Sequence, residues 1–337
     1  MTRKVVLEKA ASGYQWKLIE AAVPAVGPHD ILVRVRAVAL NHGDIDELAP
    51  SPRQDHTGMV AGTDAAGDVV AVGAMVTGLH PGERVTNTFF VRWTDGPFSE
   101  KYLAGMYGYT VDGVFSDYIV LPDTAVVPIA AGLTYEEAAT LPSAGLTAWS
   151  AISKARTLHP GDVVLVQGTG GVSMFALQFA VAMHAHVIIT SSSDDKLRRA
   201  RTLGASTGIN YLDTPQWANA VRDLTHAHGA DLVVDVGGKA TLGQSVESLA
   251  DAGMLAVVGG LTGYDGVIPA YGLVKKAAGA QAIWVGSRAD FVRMNAFIAQ
   301  HHLHPVIDRV FAFEQYREAL KSLQSGHFVG KIVLRLQ

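Results

Sequence analysis

Asp162-Val163-Val164-Leu165-Val166-Gln167 runs into Gly168-Thr169-Gly170-Gly171-Val172-Ser173, and then into the apolar stretch Met174 to Met183. A run of strand length meets a glycine-rich turn, and the turn opens a helical stretch. A second apolar run follows, His186-Val187-Ile188-Ile189-Thr190. Strand, glycine turn, helix and strand in this order are the layout of a dinucleotide-binding βαβ unit. Glycines let the backbone approach a pyrophosphate, and the helix N-terminus offers unpaired N–H groups and a partial positive charge. Ser173 stands where the pattern has its third glycine and is small enough to keep helix and strand close. Nucleotide binding is the functional expectation; a merely structural glycine turn is the alternative.

The chain has 337 residues, enough for two domains, since one core rarely grows beyond roughly 250–300 residues. With 49 % apolar and 17 % charged residues it reads as globular. Net charge is -4 and no basic block is longer than Lys196 to Arg201, so nucleic-acid binding has no electrostatic footprint. Cysteine is absent, which excludes disulfides and thiolate zinc sites and fits a reducing compartment. Met1 to Ala10 is charged and lacks the apolar core of a signal peptide. The apolar stretch near Phe175 contains Gln178 and is too short to span a bilayer. A soluble, cytoplasmic protein with no membrane partner is expected.

Two patterns alternate along the chain. From Ile31 to about Val127, short strands are broken by turns. Ile31 to Val38 sets Arg34 and Arg36 on one face and Val33, Val35 and Ala37 on the other. Gly67 to Gly73 is another strand, the Pro81-Gly82 turn leads into Arg84-Val85, and Asp117 to Val120 adds one more. This predicts a small, mostly β domain. After Leu133 strands alternate with helices. The strands are Val163–Val166, Val187–Thr190, Gly208–Tyr211, Leu232–Val236, Leu255–Val258 and Ile283–Val285; Asp195–Leu203 and Pro215–His226 read as helices. Such alternation predicts a doubly wound parallel sheet. The tail from Asp290 returns through a helix, a strand-like Val310 to Phe313, a helix around Ala319 and a closing strand, Lys331 to Leu336. The α/β chain is therefore divided into a β domain of residues 1–127 and 289–337 and a nucleotide-binding domain of residues 128–288.

Taken together, these motifs resemble the medium-chain dehydrogenase/reductase superfamily, in its zinc-independent alcohol dehydrogenase and quinone oxidoreductase-like branch. The resemblance rests on Ala39-Leu40-Asn41-His42-Gly43-Asp44, Ala61 to Gly67, His80 to Val85 and Ala138 to Pro142. Gly145 to Trp149, the glycine turn, Leu203-Gly204-Ala205 and Gly330 to Val333 complete it. It covers essentially the whole chain and implies a GroES-like β domain joined to a Rossmann domain. Where zinc-dependent relatives carry their catalytic ligands, this chain has Asn41, Thr63 and Ala144, none of them a good zinc donor. No metal is expected, and His301-His302-Leu303-His304 reads as a polar surface turn, with incidental metal affinity as the alternative.

An NAD enzyme usually places Asp or Glu at the tip of the second Rossmann strand, to accept the ribose hydroxyls. Here the strand ends in Thr190-Ser191-Ser192-Ser193, with Asp194 and Asp195 read as helix cap and first turn. In NADPH-dependent quinone oxidoreductases a Lys shortly after that strand and a Tyr fifteen residues later hold the 2′-phosphate. Lys196 and Tyr211 match them, so NADP(H) is favoured over NAD(H). The resemblance further implies that Asn41, Thr147, Gly168, Gly170, Gly171 and Val172 bind the cofactor with Ser191, Ser192, Lys196 and Tyr211. Gly237, Gly259, Gly260, Val285, Gly286, Ser287 and Lys331 complete that set.

The catalytic candidates are Asn41, placed by the resemblance at the active-site floor, His42 and Asp44. Imidazole exchanges protons near neutral pH, so His42 is the sharpest acid/base candidate; a polar residue at the cleft edge is the alternative. Asp44 is read as a structural acceptor before a base. Phe89, Phe90, Trp93 and Tyr107 either wall an apolar substrate pocket or pack locally. The activity implied is hydride transfer between nicotinamide and a small carbonyl-type substrate: a quinone, an enone or an enoyl thioester. A metal-free alcohol dehydrogenase or ketone reductase is the second reading, and a non-catalytic nucleotide-binding protein the third. Ala282-Ile283-Trp284-Val285 is an apolar edge-strand candidate, from which a homodimer is expected.

Overall fold

The computed structural model describes residues 1–49 and 55–337. In chain order the elements begin with β1 Thr2–Ala10, β2 Gly13–Ala21, β3 Asp30–Leu40, α1 Gly43–Asp46, β4 Asp64–Val72, β5 Arg84–Asn87, β6 Tyr118–Pro122 and β7 Val126–Pro128. Next come α2 Tyr135–Ala139, α3 Leu146–Lys154, β8 Val163–Gln167, α4 Gly171–Ala182, β9 His186–Ser191, α5 Asp194–Thr202, β10 Thr207–Asn210, α6 Trp217–Leu224 and β11 Ala230–Asp235. The chain closes with α7 Leu242–Ser248, β12 Leu249–Val257, α8 Ala270–Lys276, β13 Gly279–Ala282, α9 Arg288–Gln300, β14 Ile307–Ala312, α10 Tyr316–Gln324 and β15 Lys331–Arg335. No helix among the described residues is long and apolar enough to cross a membrane.

Contacts divide the chain into two units, residues 1–146 with 286–337, and residues 147–285. Residues 128–146, expected with the nucleotide-binding part, thus lie in the first unit. The reason is local: Ala138 and Ala139 of α2 are fully buried in a cluster with Ala37, Ala39, Ala66 and Val333, where small side chains let helix and sheet approach closely.

The first unit holds a seven-stranded sheet in the order β14-β15-β3-β4-β5-β7, with β6 also paired to β3, and a separate β1–β2 hairpin. The alternation read in β3 is present: Ile31, Val33, Val35 and Ala37 are buried while Arg34 and Arg36 are half-exposed. From Ala37 to Leu40 both faces of the strand are buried, which carries its end into the interior beside α1. The second unit is a six-stranded, wholly parallel sheet in the order β10-β9-β8-β11-β12-β13. Val164, Leu165 and Val166 of β8 are buried, as are Ser173 to Leu177, Phe179 and Ala180 of α4, as expected where helices cover a parallel sheet. Strand order reverses between β8 and β11, and in such sheets ligands bind outside the carboxyl ends of the strands at that point.

The sixth strand departs from the sequence reading. Gly279–Ala282 pairs with β12, from Met254↔Gly279 to Val257↔Ala282, and Ile283–Val285 lies beyond the strand. A side chain at residue 279 would meet the Met254 sulfur at 2.6 Å, so the flexible end of Met254 packs into the space that the glycine leaves.

Candidate active site

The end of β3 delivers Asn41, and α1 begins two residues later. Asn41 sits in a chain of hydrogen bonds inside the first unit. Its Nδ2 donates to Thr63 Oγ1 at 3.0 Å, and the Thr63 hydroxyl donates to Asp64 Oδ1 at 2.6 Å. The Ser143 N–H reaches the other Asp64 oxygen at 3.2 Å. On the opposite side, Lys331 Nζ donates to Asn41 Oδ1 at 2.5 Å and to the Leu40 carbonyl. The Asn41 backbone N–H donates to Asp44 Oδ2 at 2.6 Å. Thr63, Asp64, Asp44 and Lys331 are buried, whereas Asn41 is only half-buried. Asn41 therefore is the point at which this network meets the surface of the unit.

Electrostatics there are uneven. Burial pushes the Asp44 carboxyl up to about 7, against the Asn41 N–H and the Lys331 charge, which hold it down. Burial and the neighbouring Asp44 push Glu47 well above the usual carboxylate range, and neither Glu47 carboxylate oxygen has a hydrogen-bond partner. Burial raises Asp64 and lowers Lys331, while Asp64 and Asp44 pull the ammonium back toward its charged form. Zinc does not fit this set. Asn41 and Thr63 are weak donors already committed to neighbours, Ala144 has none, and an ammonium on Asn41 Oδ1 repels a dication. No group of three or more His, Cys, Asp or Glu among the described residues is placed to hold a metal ion. His304 instead contacts Glu137 at 2.8 Å.

The remaining calls on this unit separate. His42 is the N-cap of α1; its side chain is 55 % exposed, with Nε2 3.8 Å from Asp46 Oδ1. Asp44 is fully buried beneath Asn41, where it acts as an acceptor. Phe89, Phe90, Trp93 and Tyr107 are buried too. Phe90 meets Trp93 edge-on at 5.5 Å, and Trp93 stacks on Tyr102 at 5.7 Å. Ser287, expected beside the cofactor, is buried in the capping box of α9 with Asp290. Lys331, also expected there, keeps its ammonium inside the unit, where two of its three donors are taken by Leu40 and Asn41.

The second unit carries the nucleotide motif. Gly168 adopts φ +71°, which a side chain would strain, and turns the chain out of β8. Gly170 caps α4 with no side-chain acceptor, leaving the first N–H groups of the helix for a ligand. Ser173, at the third-glycine position, donates to the Gln167 carbonyl at 2.6 Å and closes the turn. That donor set fits a pyrophosphate. The β11 end is organised by Asp235, which accepts from Gly237 and Gly238 N–H, Thr241, Gln167 Nε2 and Ser245. Gln167 and Asp235 thus link the ends of β8 and β11 on either side of the switch point. Sequence reasoning passed over Asp235, although an acid inside the otherwise apolar run Leu232 to Val236 is a visible signal.

At the other edge of the switch, Ser191 and Asn210 are register partners, and the Tyr211 N–H donates to Ser191 O at 3.0 Å. Ser193, not Asp194, caps α5, accepting from the Lys196 N–H. Ser191 is buried, Ser192 and Tyr211 are exposed, and Lys196 is half-buried on the first turn of α5. The two acids are engaged: Asp194 accepts from Asn210 at 3.0 Å, and Asp195 pairs with Arg198. Gly259 and Gly260 are half-buried after β12, Thr147 is buried at the start of α3, and Val285 is buried beyond β13.

Two family models match the chain. One, described as zinc-binding dehydrogenase, covers residues 171–300; the other, described as alcohol dehydrogenase GroES-like domain, covers residues 27–131. A zinc-type alcohol dehydrogenase-like protein of Schizosaccharomyces pombe is 40 % identical over 348 residues, covering 100 % of both chains. A protein described as a candidate alcohol dehydrogenase of Sinorhizobium meliloti 1021 has a solved structure with TM-score 0.94 and 40 % identity, covering 99 % of this chain and 98 % of that one. A structure described as an NAD-dependent alcohol dehydrogenase has TM-score 0.87 and 32 % identity, with 99 % and 100 % covered.

Proposed function

The chain belongs to the medium-chain dehydrogenase/reductase superfamily and is an NAD(P)-dependent oxidoreductase of the alcohol dehydrogenase type; from that premise we propose a metal-free enzyme that prefers NADP(H) and acts on a small carbonyl compound. The observation that carries this reading is the uncapped start of α4 behind the Gly168–Gly171 turn, beside a β9 tip that ends in hydroxyls. Nicotinamide supplies the hydride chemistry when bound. Backbone N–H groups at Gly170 and Gly171 hold the pyrophosphate, and Ser192, Lys196 and Tyr211 receive the 2′-phosphate. Asn41 Nδ2 donates to Thr63 and also engages the Asp64 carboxylate; in this reading the hydrogen not held by Thr63 turns from Asp64 to the substrate oxygen as negative charge develops there. The exposed His42 imidazole exchanges the proton with solvent.

Both carbonyl readings stay within this scheme, conjugated (quinone, enone or enoyl) and simple (ketone or aldehyde). The names of the relatives favour the simple class. NADPH and NADH oxidation measured against quinones, enones, aldehydes and ketones, with metal analysis of the same sample, decides between them. Oxidation of NADPH without stoichiometric metal is expected. Stoichiometric zinc lost together with turnover on chelation would overturn the metal-free reading, and a preference for NADH the cofactor reading.

The cytoplasmic, homodimeric protein expected from sequence remains part of this proposal. β13 ends its sheet with β12 as its neighbour, and the chain around it exposes Leu261, Tyr264, Val267, Tyr271, Val274 and Trp284. Exposed apolar edges invite strand pairing, here with a second copy about a two-fold axis. Light scattering at micromolar concentration should give twice the chain mass, reduced by Val267→Glu; a clean wild-type monomer refutes the dimer.

A further inference from the structure

Asn41 and Lys331 lie 290 residues apart in the chain and 2.5 Å apart in the fold. We infer that Lys331 is the positioning residue of this site: its buried ammonium fixes the orientation of the Asn41 amide and strengthens the Nδ2–H donor that meets the substrate oxygen. The inference rests on the reading of Asn41 as that donor.

The orientation follows from the donor inventory. An ammonium has three donors and no acceptor, so the Asn41 atom it meets must be the carbonyl oxygen. Nδ2 then faces Thr63, whose single hydroxyl proton goes on to Asp64. A cation at one end and a carboxylate at the other leave one consistent direction for the whole chain of hydrogen bonds. The strengthening follows from amide electronics. A cation on the carbonyl oxygen draws density from nitrogen, so each Nδ2–H becomes a better donor, and more so where water is excluded. Lys331 is 3 % exposed, with Asp64 and Asp44, both fully buried, supplying the opposing charge. Its ammonium therefore acts through Asn41, with no surface of its own at which to meet a ligand.

The test is a double-mutant cycle between Lys331 and Asn41 in the full chain, with the most active substrate from the panel. Lys331→Met alone leaves Asp64 and Asp44 without their cation, so the cycle uses Lys331→Met with Asp64→Asn, with Asp64→Asn alone measured alongside so that its own effect is subtracted and unfolding in urea checking that each variant is folded. That pair should lower kcat by about ten- to a hundredfold, below the full effect of deleting an oxyanion donor, with KM for the cofactor nearly unchanged. In an Asn41→Ala background the same pair should cost nothing further. The Asn41 side-chain amide resonances, identified by their loss in Asn41→Ala, should move upfield when Lys331 is replaced. A full kcat loss that persists without Asn41, or amide resonances that do not move, overturns the Lys331 inference alone. An unchanged kcat in Asn41→Ala overturns the Asn41 reading, and Lys331 with it.

Discussion

Each unit buries acids next to the end of a strand, and the two do so differently. In the second unit Asp235 is fully buried and receives five donors, two from backbone, one amide and two hydroxyls, with no cation. In the first unit Asp44 and Glu47 are buried with far less: one Asp44 oxygen and both Glu47 oxygens have no partner, and the cation nearby is Lys331. A carboxylate ringed by donors is settled and rigidifies what surrounds it. An undersatisfied one keeps its proton and leaves the local charge adjustable. The comparison sets a strand end whose buried acid is held fixed by its donors against one whose buried acids are short of them.

The largest test of the contrast removes the settled acid. Asp235→Ala strands five donors, and unfolding in urea should reveal a loss of about 4 kcal/mol. A loss below about 1 kcal/mol would mean that water replaces the carboxylate, and the contrast would collapse. Next comes the rim of the cradle. Lys196→Ala should lower kcat/KM for NADPH about ten- to a hundredfold, since a hydrogen bond to a charged group is worth roughly 1.5–3 kcal/mol, and leave NADH nearly unchanged. Equal losses with both cofactors would make Lys196 a structural residue.

A smaller effect should appear in the pH dependence of stability. The folded Asp44 carboxyl sits at about 7, above its unfolded value near 3.9, so the native state binds the extra proton. Its contribution is present in full below about pH 4 and fades as pH rises through about 7. Asp44→Asn keeps an acceptor for the Asn41 N–H and should flatten the stability curve across that window. An unaltered curve would show that Asp44 titrates normally. The smallest expected change is none: a chelator should leave turnover within about twofold, because the Asn41 cluster has no ligand set for zinc.

Some of this was legible from sequence because its causes are local. The glycine turn joins strand and helix within a dozen residues, and β3 displays its buried face in its own alternation. The hydroxyl-rich end of β9, Thr190-Ser191, is likewise contiguous in the chain and next to Ile209-Asn210 in register. The edge strand was misplaced because Ile283-Trp284-Val285 has strong strand propensity, while Gly279-Ala280-Gln281-Ala282 has little. Pairing with Met254 to Val257 of β12 takes the glycine-led segment, so tertiary context overrides propensity there.

Composition and periodicity by themselves determined the two patterns, the absence of thiolate chemistry and the nucleotide-binding turn, since each depends on residues a few positions apart. Only the tertiary structure decided that Lys331 turns inward onto Asn41, that Asp235 gathers donors from three segments, and that Asp44 and Glu47 are left short of partners. Burial and long-range pairing set those outcomes. The energy of a buried charge depends on which distant groups surround it, and neighbours in sequence do not carry that information.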